Sequence, residues 1–193
     1  MRKTTFAAVA VAAVTVLPAA ATATATTTPH SHSSASHASS GTLSAQDKMY
    51  LKDSAQGALW EIRGGKTAQT HASRSYVRMF GQRMVTDHSR QYRDARELGE
   101  DLHVSIPKSP DEVQQRDLDL LAQYHRASFD CAYLSTEWAD HMADVAETKL
   151  EIATGQNQRV KAYARKYLPV LQAHLKMAED DLMKTHYCDA NDD

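Results

Sequence analysis

The stretch from Ser73 to His103, SRSYVRMFGQRMVTDHSRQYRDARELGEDLH, decides the fold class. Val77, Phe80, Met84, His88, Ala95, Leu98 and Leu102 recur at helical spacing and share one side, while arginines and acids fill the rest. Ser73 or Ser75 offers a cap at its start. A helix of this length with one apolar side must bury that side against other helices.

Three more segments read the same way, and no convincing strand run interrupts them. The first helix starts at a capping-box-like Ser44 and Asp47 and runs to about His71, with Leu51, Ala55, Ala58, Leu59 and Ile62 inward. Gly57, Gly64 and Gly65 weaken it by up to about 1 kcal/mol each unless a close helix contact uses them. Ile106-Pro107-Lys108-Ser109-Pro110 ends the second helix, and Ser109-Pro110-Asp111-Glu112 starts a short one through about Tyr124, with Pro in its first turn. Ser128 caps the third long helix, whose stripe is Leu134, Trp138, His141, Val145 and Ile152; Gly155 stops it. The fourth runs from about Asn157 to Thr185, with a kink or break expected at Pro169. Tight turns within each helical pair predict an up-down-up-down four-helix bundle, the short helix lying between helices two and three and both tight turns at one end.

The first 25 residues have the layout of a cleaved signal peptide: Arg2 and Lys3, an apolar run from Phe6 to Leu17, then Pro18 and small-residue sites such as Ala21-Thr22-Ala23. Residues 26–43 are a Ser/Thr/Ala/His-rich linker too polar to form a core; its His30, His32 and His37 read as a solvated tract or a loose metal-catching tail. The bundle domain spans 44–188 and an acidic tail 189–193. The expected location is secreted or extracytoplasmic, with no membrane span once the signal is cleaved. In that oxidising setting Cys131 and Cys188 are expected to form a disulfide, clamping the C-terminal end to the third long helix and contributing about 4 kcal/mol. With 22 Lys and Arg against 24 Asp and Glu and no basic stripe, nothing points to nucleic acid. An envelope partner or a homo-oligomer is left open.

Counting inward from the tight turns places one titratable group from each long helix in a slab about 10 Å deep: Glu61, His88, His141 and His174, with Glu137 one turn from His141. Such groups facing a core are costly unless paired or metal-bound. Imidazole with carboxylate suits Fe, Zn, Mn or Cu. The same residues read equally as a polar layer that pins helix register, with Glu61 and His88 as a simple hydrogen-bonded pair. Asp87 and Asp140, next in sequence to the histidines, should point away from them, either behind the ligands or to solvent. No Glu-x-x-His pair falls in the layer, so a mononuclear or His-rich site is favoured over a standard diiron centre. Met79, Met84, Met142 and Met177 admit a copper reading but suit gap-filling better. Asp130 is expected to serve a helix N-terminus rather than catalysis.

Glu61, FGQRMVTDH ending at His88, SFDCAYLSTEWADH ending at His141, and YLPVLQAHL containing His174 together resemble domain-of-unknown-function family 4142. The likeness covers most of residues 46–183. It implies a ferritin-like secreted bundle with those four residues as positions of interest, and no reaction. The leading expectation is an exported metal-binding bundle in redox or stress handling. The alternatives are a metal-free structural or interaction module of the cell envelope and a metal-dependent oxidoreductase or peroxidase. Whether the chain is an enzyme stays open, and no catalytic residue is assigned.

Overall fold

The computed structural model describes residues 42–185. The expected signal peptide, nearly all of the linker with its three histidines, Cys188 and the acidic tail lie outside the described residues. The fold is all-α: α1 (Ala45–His71), α2 (Ser75–Leu102), α3 (Glu112–Leu121), α4 (Arg126–Thr154) and α5 (Gln158–Lys184). Among the described residues no helix is long and apolar enough to cross a membrane.

Side-chain contacts fix the direction of each helix. Tyr50, early in α1, meets Thr148, late in α4, at 3.1 Å between hydroxyls. At the opposite end Ala72 pairs with Arg126 through the backbone. Likewise Tyr76, starting α2, reaches Thr185 after α5, and Asp101, ending α2, pairs with Arg159 at the start of α5. So α1 runs against α4 and α2 against α5. The order is up-down-down-up, which corrects the expected up-down-up-down arrangement. The two tight turns lie at opposite ends. The connection from α2 to α4, including α3, runs the length of the bundle and packs on α1 and α4.

Carboxylates tie the ends together across helices. Asp47 closes a capping box with Ser44 and also accepts from the backbone N–H groups of Gln156 and Asn157 in the α4–α5 turn, at 2.9 and 3.1 Å. Asp130 of α4 accepts from the backbone N–H groups of Ser73 and Arg74 at 2.9 and 3.1 Å, tying the residues just before α2 to α4. Neither Ser73 nor Ser75 is the N-cap residue of α2; that residue is Arg74. Ser128 lies in the first turn of α4 and donates to the His125 carbonyl, the N-cap being His125. Pro110 sits just before the Asp111 cap of α3 instead of in its first turn. Helix α5 runs unbroken through Pro169, which is exposed, so water can take the carbonyl that proline leaves unpaired.

Two apolar clusters fill the interior. One, around Phe80, Met84, Phe129 and Tyr133, lies toward the α1–α2 turn. The other, around Leu51, Ala95, Val160 and Tyr167, lies toward the α4–α5 turn. Trp138 is 36% exposed, off the inner stripe where it was expected. Its place is taken by Glu137, which is fully buried one residue earlier.

The glycines of α1 differ in role. A Cβ on Gly65 would lie 2.5 Å from the Gly81 carbonyl oxygen, and one on Gly81 would lie 2.7 Å from the Ala68 Cβ. The α1 and α2 backbones touch at this point. A Cβ on Gly57 meets nothing within 4 Å. Gly65→Ala is expected to destabilise the protein by about 1–3 kcal/mol through overpacking. Gly57→Ala should stabilise it by up to about 1 kcal/mol. Urea unfolding of both variants checks the opposite signs.

Candidate metal centre

The polar layer lies between the two apolar clusters. Measured from the α1–α2 turn, Glu61 and His174 lie about ten residues deep, Glu137 slightly deeper, and His88 and His141 about thirteen to fifteen. The layer survives the corrected topology because every member sits near mid-helix. Glu61, Glu137, His141 and His174 are completely buried and His88 is 1% exposed.

Three imidazoles form one half. The ring centroids of His88, His141 and His174 are separated by 5.2 to 5.6 Å. One nitrogen from each ring lies within 4.8 Å of the other two. The outer nitrogens of two rings are committed. His174 Nε2 lies 3.0 Å from Asp87 Oδ2 and His141 Nδ1 lies 2.9 Å from the Glu137 carbonyl oxygen. Burial alone would push the Asp87 carboxyl up, but the hydrogen bond from His174 and the Arg83 guanidinium outweigh it and keep Asp87 ionised. Carboxylate and carbonyl only accept, so Nε2 of His174 and Nδ1 of His141 carry the protons. The remaining nitrogens, His141 Nε2 and His174 Nδ1, face each other at 3.2 Å with a lone pair on each. Neutral rings cannot hydrogen-bond in that arrangement. Neither nitrogen of His88 has a partner, Gln91 beside it making no bond of acceptable geometry.

A proton would relieve the lone-pair opposition, but burial holds all three imidazoles below the ordinary histidine range, helped for His88 and His174 by the neighbouring rings. A cation that accepts lone pairs fits instead. Nitrogens about 2.0–2.1 Å from a tetrahedral ion are about 3.3 Å apart, close to the observed separation. The outer bonds to Asp87 and to the Glu137 carbonyl are the kind that orient metal-binding histidines.

The other half is acidic. Both carboxylate oxygens of Glu61 and of Glu137 are buried without a hydrogen-bond partner, as are Asp140 Oδ2 and the Tyr133 hydroxyl. His141 Nδ1 lies 3.6 Å from Glu61 Oε1 and 3.7 Å from Glu137 Oε2, so this ring stands between the halves. Burial, with repulsion from neighbouring carboxylates, holds the Glu61 and Glu137 carboxyls above the ordinary range.

All five sequence-identified residues thus converge. Glu61 and His88 make no hydrogen bond to each other, because His88 faces the other two rings and Glu61 faces His141. Asp87 is not solvent-facing: one position on from His88 is a rotation of about 100°, which aims it across the helix contact at His174. Tyr133 was missed; its only sequence signal is its place one turn before Glu137. The methionines do not gather here: Met79 and Met142 are exposed, while Met84 and Met177 pack with Phe80. Cys131 lies in the first turns of α4, and its expected partner is outside the described residues.

The model of a family described as "Domain of unknown function (DUF4142)" matches residues 32–180, which include every member of this layer. The chain belongs to that family. No curated protein and no solved structure matches it. What a DUF4142 layer of this make-up does follows from its own chemistry.

Unfolded histidines titrate near about 6.5 and glutamates near about 4.3. The folded imidazoles are depressed, so their contribution to stability is full above their unfolded value and is lost as pH falls toward about 4, the value to which burial and His141 push His174. The glutamates are raised, so theirs is full below their unfolded value and is lost as pH rises. Between about 4.3 and 6.5 both contributions are partial, so acidification costs the ion-free DUF4142 protein the histidine part and alkalinisation the glutamate part. Thermal unfolding of chelator-treated wild type and of His174→Gln and Glu61→Gln across pH checks this. The histidine variant should lose less stability than wild type on acidification and the glutamate variant less on alkalinisation; parallel curves contradict the assignment.

Proposed function

We propose that this DUF4142 protein is an exported bundle that holds a transition-metal ion through His88, His141 and His174. The observation that supports this most is the opposition of His141 Nε2 and His174 Nδ1 at 3.2 Å, each with its other nitrogen already committed. Imidazole donors suit Zn, Fe or Cu, with Mn better matched to oxygen. Three nitrogens leave a tetrahedral ion one open position, as in sites that bind water or a substrate atom. A role in redox or stress handling is consistent with such a position. Export rests on the N-terminal 25 residues, and a Cys131–Cys188 bridge follows from that compartment. Without an ion the chain is a structural or interaction module of the cell envelope, and one measurement separates the two.

Protein purified without a His tag, then stripped and offered Fe, Zn, Mn or Cu, should retain about one ion per chain at the imidazoles. His141→Gln should lose it. Less than about 0.1 ion per chain in wild type with every metal leaves the metal-free module. Because the rings stay neutral well below the usual histidine range, affinity should change little between pH 8 and 6. An exposed three-histidine site would weaken steeply below about 6.5. Titration calorimetry at both pH values distinguishes them.

A further inference from the structure

We propose that the acidic half of the layer is a second cation position, built on Glu61 and Asp140 with Glu137 beside them, which takes a hard divalent ion such as Mn2+ or Fe2+ beside the imidazole position. This deepens the reading of a metal-holding bundle and rests on it.

Five carboxylate oxygens from two helices are gathered in the core with no hydrogen-bond partner. Buried polar atoms in folded proteins are nearly always paired, so a concentration of this kind needs a cause. Two further groups mark the place independently of the acids. The Tyr133 hydroxyl is completely buried, lies against Glu137 and has no partner. His141 turns its Nδ1 edge to the acids, with a ring nitrogen within 4.8 Å of one oxygen each from Glu61 and Asp140, and so bounds the place.

The two halves differ in kind. Three neutral imidazoles, His141 among them, favour borderline ions such as Zn2+, while the carboxylate oxygens and the phenol on the Nδ1 side of His141 favour hard ones. His141 Nδ1–H remains committed to the Glu137 carbonyl, so the ring separates the positions without bridging them.

The test uses the full chain, stripped by chelator, then given one equivalent of Zn2+ followed by excess Mn2+. Metal analysis should find one zinc and one manganese per chain. Glu61→Gln/Glu137→Gln should keep zinc and bind Mn2+ at least about tenfold more weakly. His88→Gln/His174→Gln should keep manganese and lose zinc. The Mn2+ spectrum of wild type by electron paramagnetic resonance reads the same point without any variant: bound manganese should persist when zinc is added. Stoichiometric displacement of manganese by zinc, or one ion per chain with unaltered Mn2+ affinity in the glutamine variant, overturns the second position and leaves the imidazole site standing. A wild type that binds no ion overturns both.

Discussion

Everything distinctive in this molecule depends on two nitrogen lone pairs held face to face in a sealed interior. Each ring is locked from outside the pair, His174 by a carboxylate on α2 and His141 by a carbonyl one turn back on α4. Neither can rotate to relieve the opposition without breaking a buried hydrogen bond, which costs the desolvation of the group left behind. Water cannot dilute the conflict, because neither ring has any exposed surface. The chain thus spends packing quality at the centre of its core, where an apolar layer would be more stable. The apolar clusters on both sides and the carboxylate clamps at both ends hold the bundle together around that weak middle.

The division of labour between Asp47 and Asp130 shows how. Each sits on one helix and satisfies backbone donors at a turn or helix start elsewhere, one at each end of the bundle. With both ends clamped, the helices cannot slide to bury the layer differently. The Gly65–Gly81 contact fixes a third point, between α1 and α2, one turn from Glu61. Register is therefore set by features outside the layer, and the layer inherits its geometry from them.

Much of this was legible in the sequence, for identifiable reasons. The helices followed from periodicity, and the Ser44–Asp47 start from its capping pattern. The layer was legible because Glu61, His88, Glu137, His141 and His174 all lie near mid-helix, where depth is nearly the same from either end. That same symmetry hid the topology. The connection from His103 to His125 could fold back or cross the bundle, since a ten-residue helix with its extended flanks reaches about the length of the long helices. The tie just before α2 was illegible for a related reason: its acceptor, Asp130, lies more than fifty residues away in sequence. Trp138 was read as inward because a stripe drawn from hydrophobicity alone favours the larger apolar residue, whereas Glu137, already placed in the layer, is the one buried there.

Asp87 links the buried layer to the outside. Arg83 and Arg90 hold its carboxylate from the exposed side of α2, and an open groove lined by these residues reaches it. Its charge fixes the His174 tautomer, and that tautomer decides which nitrogen faces His141. The chemistry of the centre is thus set by an ion pair at the surface, through one carboxylate and one ring. A change that neutralised Asp87 would free His174 to turn its proton inward, toward His141 Nε2. The lone-pair opposition would then become an ordinary hydrogen bond, and the core would gain a satisfied pair in place of the lone pairs that the proposed cation would use. The costlier arrangement, with both lone pairs turned inward, is the one that the proposed cation site requires.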